Sequence, residues 1–187
     1  MSERFLGNTG FPANMATDAE DGFRRIKTDV GQTGFFEGRE FRIHRKFTTP
    51  ITLKFIAPVE FIISFQGFGI ASGEFEFFAW RGNNVTENTA FTTELPIFGK
   101  NTSLTRPLFG NDFYQRQCSI FSGGTMTPTN TDLYADYGRL KTATATAQVT
   151  SLEGAGREER YLTIGVYYLQ FTGPAEASFR LTWEERP

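Results

Sequence analysis

From Arg39 to the end of the chain, apolar and polar residues alternate with a period of two, a pattern that confines the backbone to strands with one buried face. Phe41, Ile43, Arg45 and Phe47 interleave with Glu40, Arg42, His44 and Lys46. Ile51, Leu53, Phe55 and Ala57 interleave with Thr52, Lys54 and Ile56, and Pro58 separates them from Val59, Phe61, Ile63 and Phe65. The run Glu74 to Trp80 closes at the turn-forming Arg81-Gly82-Asn83-Asn84. Further runs are Tyr114 to Phe121, Thr131 to Tyr137, Lys141 to Val149, Tyr161 to Phe171 and Ala177 to Glu184. In the last of these, Phe179, Leu181 and Trp183 point inward and Arg180, Thr182 and Glu184 outward. Roughly eight or nine short strands with no helical spacing after residue 33 predict an all-β fold, an antiparallel β-sandwich of jelly-roll-like form.

Residues 1–33 have a different character, rich in Gly, Asn and Asp with isolated phenylalanines. The expectation there is an extended N-terminal arm and one short helix near residues 17–27. Thr17 can cap it with Glu20 three residues later, and Ala19, Phe23 and Ile26 follow a helical spacing. The chain therefore divides into an arm, 1–33, and a sandwich, 34–187. Between Asn83 and Asp112 the pattern is lost, and Pro96, Gly99, Pro107 and Gly110 suggest a long irregular excursion, 83–112, over one end of the sandwich.

Composition excludes several classes of function. The one cysteine, Cys118, cannot form an intrachain disulfide, and no Cys/His cluster is spaced for zinc. A formal charge of -2 argues against binding driven by phosphate neutralisation, so nucleic acid is not an expected partner. No stretch approaches the ~18 apolar residues of a spanning helix, and the N-terminus lacks the apolar run of a signal peptide. The expected product is made in a reducing cytoplasm and carries no cofactor.

Catalytic constellations are sparse. His44 is the only histidine, on the polar side of a strand among Arg42, Arg45 and Lys46, and reads as a surface residue rather than as a triad base. Cys118 reads as a buried strand residue. Glu74 and Glu76 share a strand face, as a glycosidase pair could but as any amphipathic strand also would. Gly67-Phe68-Gly69-Ile70-Ala71-Ser72-Gly73 fails as a phosphate loop, because a strand follows it, and reads as a hairpin connection. Trp80 and Tyr168 are candidate exposed rings for glycan contact.

Three groups of segments carry a resemblance. Gly34-Phe35-Phe36-Glu37-Gly38-Arg39-Glu40-Phe41 opens the β region, and Leu95-Pro96-Ile97-Phe98-Gly99-Lys100-Asn101 with Arg106-Pro107 occupies the excursion. Gly165-Val166-Tyr167-Tyr168 and Trp183-Glu184-Glu185-Arg186-Pro187 close the chain. In this order they resemble a family of small tailed-bacteriophage virion structural proteins, over about residues 34–187. The resemblance implies a non-enzymatic accessory protein of the virion, made in the host bacterial cytoplasm. Its first expected role is capsid decoration or cement; a collar, tail or short-fibre component is the alternative, and a carbohydrate-binding sandwich a further one. The implied partners are other virion proteins, the major capsid protein or tail and portal components, in a homo-oligomeric arrangement without nucleic acid or membrane.

Phenylalanine is over-supplied, with 21 in a chain that is 39% hydrophobic. Those on alternating strands fit a core. Phe5, Phe11, Phe35, Phe91, Phe98 and Phe109 lie in the arm, the linker or the excursion, and with Arg106 they form the expected interface.

Overall fold

A computed structural model of the chain describes residues 15–17, 24–26, 34–35, 37–100, 114–141 and 160–187. The chain divides into two compact units, 1–33 and 34–187. In the first, β1 (Met15–Thr17) and β2 (Arg24–Ile26) pair antiparallel, with Thr17 opposite Arg24. These strands replace both ends of the expected helix. Thr17 and Ile26 are β-branched and favour extended backbone, and Gly22 weakens a helix by about 1 kcal/mol. The expected arm, with Phe5 and Phe11, lies outside the described residues.

The second unit is an all-β antiparallel sandwich. Its strands are β3 (Glu40–Thr48), β4 (Ile51–Ala57), β5 (Glu60–Arg81), β6 (Val85–Thr89), β7 (Thr93–Glu94), β8 (Phe98–Gly99) and β9 (Ser119–Ser122). There follow β10 (Thr125–Pro128), β11 (Asp136–Lys141), β12 (Arg160–Leu162), β13 (Gly165–Thr172) and β14 (Ala175–Arg186).

The 22 residues of β5 would run roughly 70 Å if straight. Instead the strand serves two sheets. Residues 60–73 pair with β14, and residues 74–81 pair with β13 and β11. Treating β5 as two strands, β3 pairs with β14, β4 with β13, the first half of β5 with β12, and the second half with β11. First with last, second with next to last, and so inward is the wrapping of an eight-stranded jelly roll. The first sheet runs β8-β3-β14-β5-β12, and the second β11-β5-β13-β4-β9-β7.

The expected hairpin at Gly67–Gly73 is therefore corrected: the strand continues through it. Register shifts between Glu176 and Ala177 and between Thr182 and Trp183 mark bulges that bend β5. Gly73, at φ +86°, makes the change of sheet, and a Cβ there would stand 2.0 Å from the Pro174 carbonyl oxygen. The other two changes of sheet meet it. Thr49, between β3 and β4, donates its N–H to the Ala175 carbonyl (2.9 Å), and its hydroxyl accepts the Ala175 N–H (2.6 Å). The same hydroxyl donates to the Gly173 carbonyl at the β13–β14 turn.

The core between the sheets is built of rings. Phe55, Phe61, Phe68, Phe75, Phe77, Phe171, Phe179 and Trp183 are all essentially inaccessible. Phe68 stacks on Phe179 at 5.4 Å, Phe77 meets Phe171 at 5.1 Å, and Trp183 stands edge-on to Phe55 at 5.3 Å. Each buried ring contributes about 1.5–3 kcal/mol of transfer free energy, and each favourable pair about 0.5–1.5 more.

The described part of the excursion is not irregular. β6 pairs with β10, β7 with β9, and β8 with β3. Thr86, Thr89, Thr93 and Thr125 supply β-branched strand positions within an unpatterned stretch. Residues 101–112 lie outside the described residues.

Candidate functional site

Residues from three segments of the sequence resemblance, 34–40, Lys100 and 183–186, meet at one corner of the first sheet, while 165–168 lies on β13 of the second. Glu40 of β3 and Glu184 of β14 are direct cross-strand partners, as are Phe41 and Trp183. β8 lies along β3 and delivers Lys100, whose N–H donates to the Glu40 carbonyl (2.8 Å) and whose ammonium meets the Glu40 carboxylate (2.5 Å). A turn over 34–39, in which the Arg39 N–H donates to Gly34 O (2.8 Å), folds back onto β14. Arg39 then donates to the Glu37 carboxylate (2.5 Å) and the Glu185 carbonyl (3.0 Å) and lies 3.3 Å from the Glu184 carboxylate. Arg186 meets the other Glu184 oxygen at 3.0 Å.

Gly34 is pressed so closely onto Glu184 that a Cβ there would stand 2.1 Å from the carboxyl carbon. Glu184, expected to face outward, is consequently buried, as is Thr182. Burial pushes the Glu184 carboxyl up from its ordinary range, against the opposing pull of Arg186 and Arg39.

Beside this corner Glu185 is wholly buried and fully employed. One oxygen accepts the Tyr114 hydroxyl (2.9 Å) and the Gln117 N–H (2.8 Å); the other accepts the Cys118 N–H (3.0 Å) and, more weakly, the Trp183 indole N–H (3.4 Å). The carboxylate thus ties segment 114–118 to β14. Burial, reinforced by this neighbour, raises both the Tyr114 hydroxyl and the Cys118 thiol far above their ordinary ranges. Cys118 is a protonated, sequestered thiol, the opposite of a nucleophile.

The glycan candidates are corrected. Trp80 and Tyr168 point away from the main core, but the paired strands β6 and β10 and Phe91 cover them in a second apolar cluster with Met126. Trp80 is 2% and Tyr168 4% exposed. Alternation placed Tyr168 on the outer face, yet it could not reveal that the excursion roofs that face. The Tyr168 hydroxyl donates to Glu87 of β6, and Lys54 joins the same carboxylate. Burial and the Glu87 contact raise the tyrosine, while the bonds from Lys54 and Tyr168 lower Glu87.

The expected interface phenylalanines separate. Phe91 is core in this second cluster, Phe35 is half-buried with the Lys100 ammonium 5.9 Å from its ring centre, and Phe98 is 56% exposed. Phe5, Phe11, Arg106 and Phe109 lie outside the described residues. Tyr134, Tyr137 and Tyr161 are exposed rings that the sequence did not single out. Tyr134 stands at the end of the turn before β11, Tyr137 on β11 and Tyr161 on β12, strands whose limits alternation had blurred.

Glu74 pairs with Arg139 and with Lys141 (3.3 Å), and Glu76 accepts the Tyr137 hydroxyl (3.1 Å), so neither carboxylate opens onto a cleft as a hydrolytic pair. His44 is exposed on β3. Among the described residues, no three His, Cys, Asp or Glu side chains are grouped to hold a metal, and no helix is long and apolar enough to cross a membrane.

These features define a class: a jelly-roll sandwich with a phenylalanine core, locked at one corner by buried ion pairs. No family model, curated protein or solved structure matches the chain.

Proposed function

We propose that this chain is a non-enzymatic structural protein of a bacteriophage virion, acting as a decoration or cement subunit on the head. The observation that carries the reading is the ion-paired corner. The opening, excursion and closing segments of the resemblance contribute Arg39 and Glu40, Lys100, and Glu184 and Arg186 to it. Those residues hold strands together and are not arranged around a substrate, which suits a brick better than an enzyme. Jelly rolls serve as capsid, lectin and cupin scaffolds alike, so topology permits the reading and the residues weight it.

The mechanism is mass action. A subunit that binds the assembled lattice and not its separated parts stabilises the lattice by RT ln(1 + [L]/Kd), about 2.7 kcal/mol per site at a hundredfold excess over Kd. The deciding experiment is the copy number in particles purified from producing cells, measured by quantitative mass spectrometry against the major capsid protein. Decoration predicts hundreds of copies and particles that lose heat tolerance when the protein is deleted. A few copies in a small multiple would move the protein to the collar, tail or fibre, and absence from the particle would end the virion reading.

A further inference from the structure

The outer face of the first sheet holds a groove of about 510 Å³. Its floor arises from Gly67 and Gly69, which pair with Arg180 and Ser178 of β14. A Cβ on Gly67 would stand 2.7 Å from the Phe65 ring, and one on Gly69 would stand 2.6 Å from the Ser178 hydroxyl. The two glycines therefore let that ring and that hydroxyl lie down across the sheet, leaving a flat surface with one apolar and one hydrogen-bonding part. Phe98 rises at the edge, opposite Arg42.

Two arginines and the histidine converge on this floor. His44 is the cross-strand partner of Arg180, and Arg42 lies one step along β3, opposite Thr182. All three are exposed. Elsewhere in the unit Lys54, Lys100, Arg139 and Arg186 each face a carboxylate. Among the described residues, Arg42 and Arg180 have no carboxylate partner, as is also true of Lys46, opposite Ser178, and of Arg45 and Arg81, and the Arg180 guanidinium lies 5.0 Å from the Phe65 ring centre. A guanidinium held over a flat ring beside a second one, both with donors unspent, is suited to a carboxylate that arrives from outside.

The surroundings limit what that ligand can be. Glu176 stands on the same face of β14 at one end, and at the other Gly34 packs over the buried Glu184, so the stretch from Ser178 to Thr182 is only about 14 Å long. A nucleic-acid strand tracked by its phosphates would meet the exposed Glu176 at one end and the segment packed over Glu184 at the other. An extended peptide would need main-chain partners, and here those of β3, β14 and β5 are spent on one another. A sugar needs neither. Its apolar ring face can lie on Phe65 and Phe98 while its hydroxyls meet Ser178 and His44. We propose that this groove binds a short acidic saccharide, one to three rings long, with its carboxylate between Arg42 and Arg180.

The test uses the full-length protein and NMR titration. His44 is the only histidine in the chain, so its imidazole resonances identify themselves and report from inside the groove. The probes are trigalacturonate and 3′-sialyllactose, with methyl-esterified trigalacturonate, hexaglutamate and hexathymidylate as comparators. The expected result is a saturable His44 shift with at least one acidic saccharide, at least tenfold tighter than with any comparator. Arg42→Gln and Arg180→Gln should each weaken it at least tenfold, and Phe98→Ala severalfold, with unchanged urea midpoints confirming that the exposed positions leave the fold intact. The proposal is overturned if neither saccharide gives a saturable shift, if the ester, peptide or oligonucleotide binds as tightly, or if the arginine variants bind as the parent does.

Discussion

Replacing Glu185 gives the sharpest test of how the closing strand is held. Its carboxylate is wholly buried and accepts bonds from Gln117 N–H at 2.8 Å, Tyr114 hydroxyl at 2.9 Å and Cys118 N–H at 3.0 Å. Glu185→Ala removes the acceptor and strands those donors, of which the Cys118 amide has no route to water without opening the 114–118 segment. A buried charge-assisted bond contributes about 1.5–3 kcal/mol, and a buried donor left unpaired costs about 1–3 kcal/mol, so losing the shared acceptor costs about 4 kcal/mol in all. With a urea m-value near 2 kcal/mol/M, a loss of about 4 kcal/mol lowers the unfolding midpoint by about 2 M.

Glu185→Gln keeps the shape and one acceptor oxygen but turns an amide NH₂ toward donors, a loss of about 2 kcal/mol. Tyr114→Phe removes a single donor and leaves the carboxylate its others, so about 1 kcal/mol is expected. Amide exchange adds a local readout: in Glu185→Gln, Gln117 or Cys118 should lose protection while β4 and β13 keep theirs. The reasoning fails if Glu185→Ala lowers the midpoint by less than about 0.5 M, or if Tyr114→Phe costs as much as Glu185→Ala.

Other consequences are as concrete. Gly73→Ala forces a Cβ to within 2.0 Å of a carbonyl oxygen at φ +86°, so it should cost more than about 3 kcal/mol or prevent soluble expression; thermal melting checks this. Cys118 should resist iodoacetamide at pH 8 in the folded protein and react at once in 6 M guanidinium, because burial holds its thiol protonated; fast labelling of the native state would contradict its placement. The raised Glu184 carboxyl binds its proton more readily folded than unfolded, so its contribution to stability is present at low pH and is lost as pH rises from about 4.5 through the folded value. Urea midpoints measured from pH 4 to 7 should show that falling component in the parent and lack it in Glu184→Gln.

The sandwich was legible because its inward positions carry rings at every second residue. Phe179, Leu181 and Trp183 stand where alternation puts them. The continuity of β5 was not legible. Gly67, Gly69 and Gly73 look like a turn because glycine permits one, while the antiparallel partner that keeps them extended, β14, lies about a hundred residues away. The roof over Trp80 and Tyr168 was hidden for a similar reason. β6, β7 and β8 are short strands stabilised by distant pairing, with little alternation of their own. Local pattern also misled at Thr17 and Ile26, where a capping sequence and helical spacing describe residues that pair as strands. The ion-paired corner was visible only as separate motifs, since nothing local says that Arg39, Lys100 and Glu184 share a neighbourhood.

The two outer faces of the jelly roll receive opposite treatment, and the contrast bears on the groove. On the second sheet the outward residues Phe78, Trp80 and Tyr168 carry large rings, and the paired strands β6 and β10 cover them. On the first sheet the outward residues Arg42, His44, Ser178 and Arg180 are polar and stay uncovered. Between them Gly67 and Gly69 sit inside a strand, where each weakens the structure by about 0.5–1 kcal/mol relative to alanine. The Phe65 ring resting over Gly67 recovers part of that loss. Arg180 recovers a further part through its contact with the Phe65 ring, and Arg42 has no carboxylate to recover any. A face built only for stability would carry β-branched residues at 67 and 69 and acids opposite the arginines, as Glu74 stands opposite Lys141 on the edge strand β11. The flat floor and unspent cations are instead what a ligand-binding face requires, and they adjoin the corner that holds the fold together.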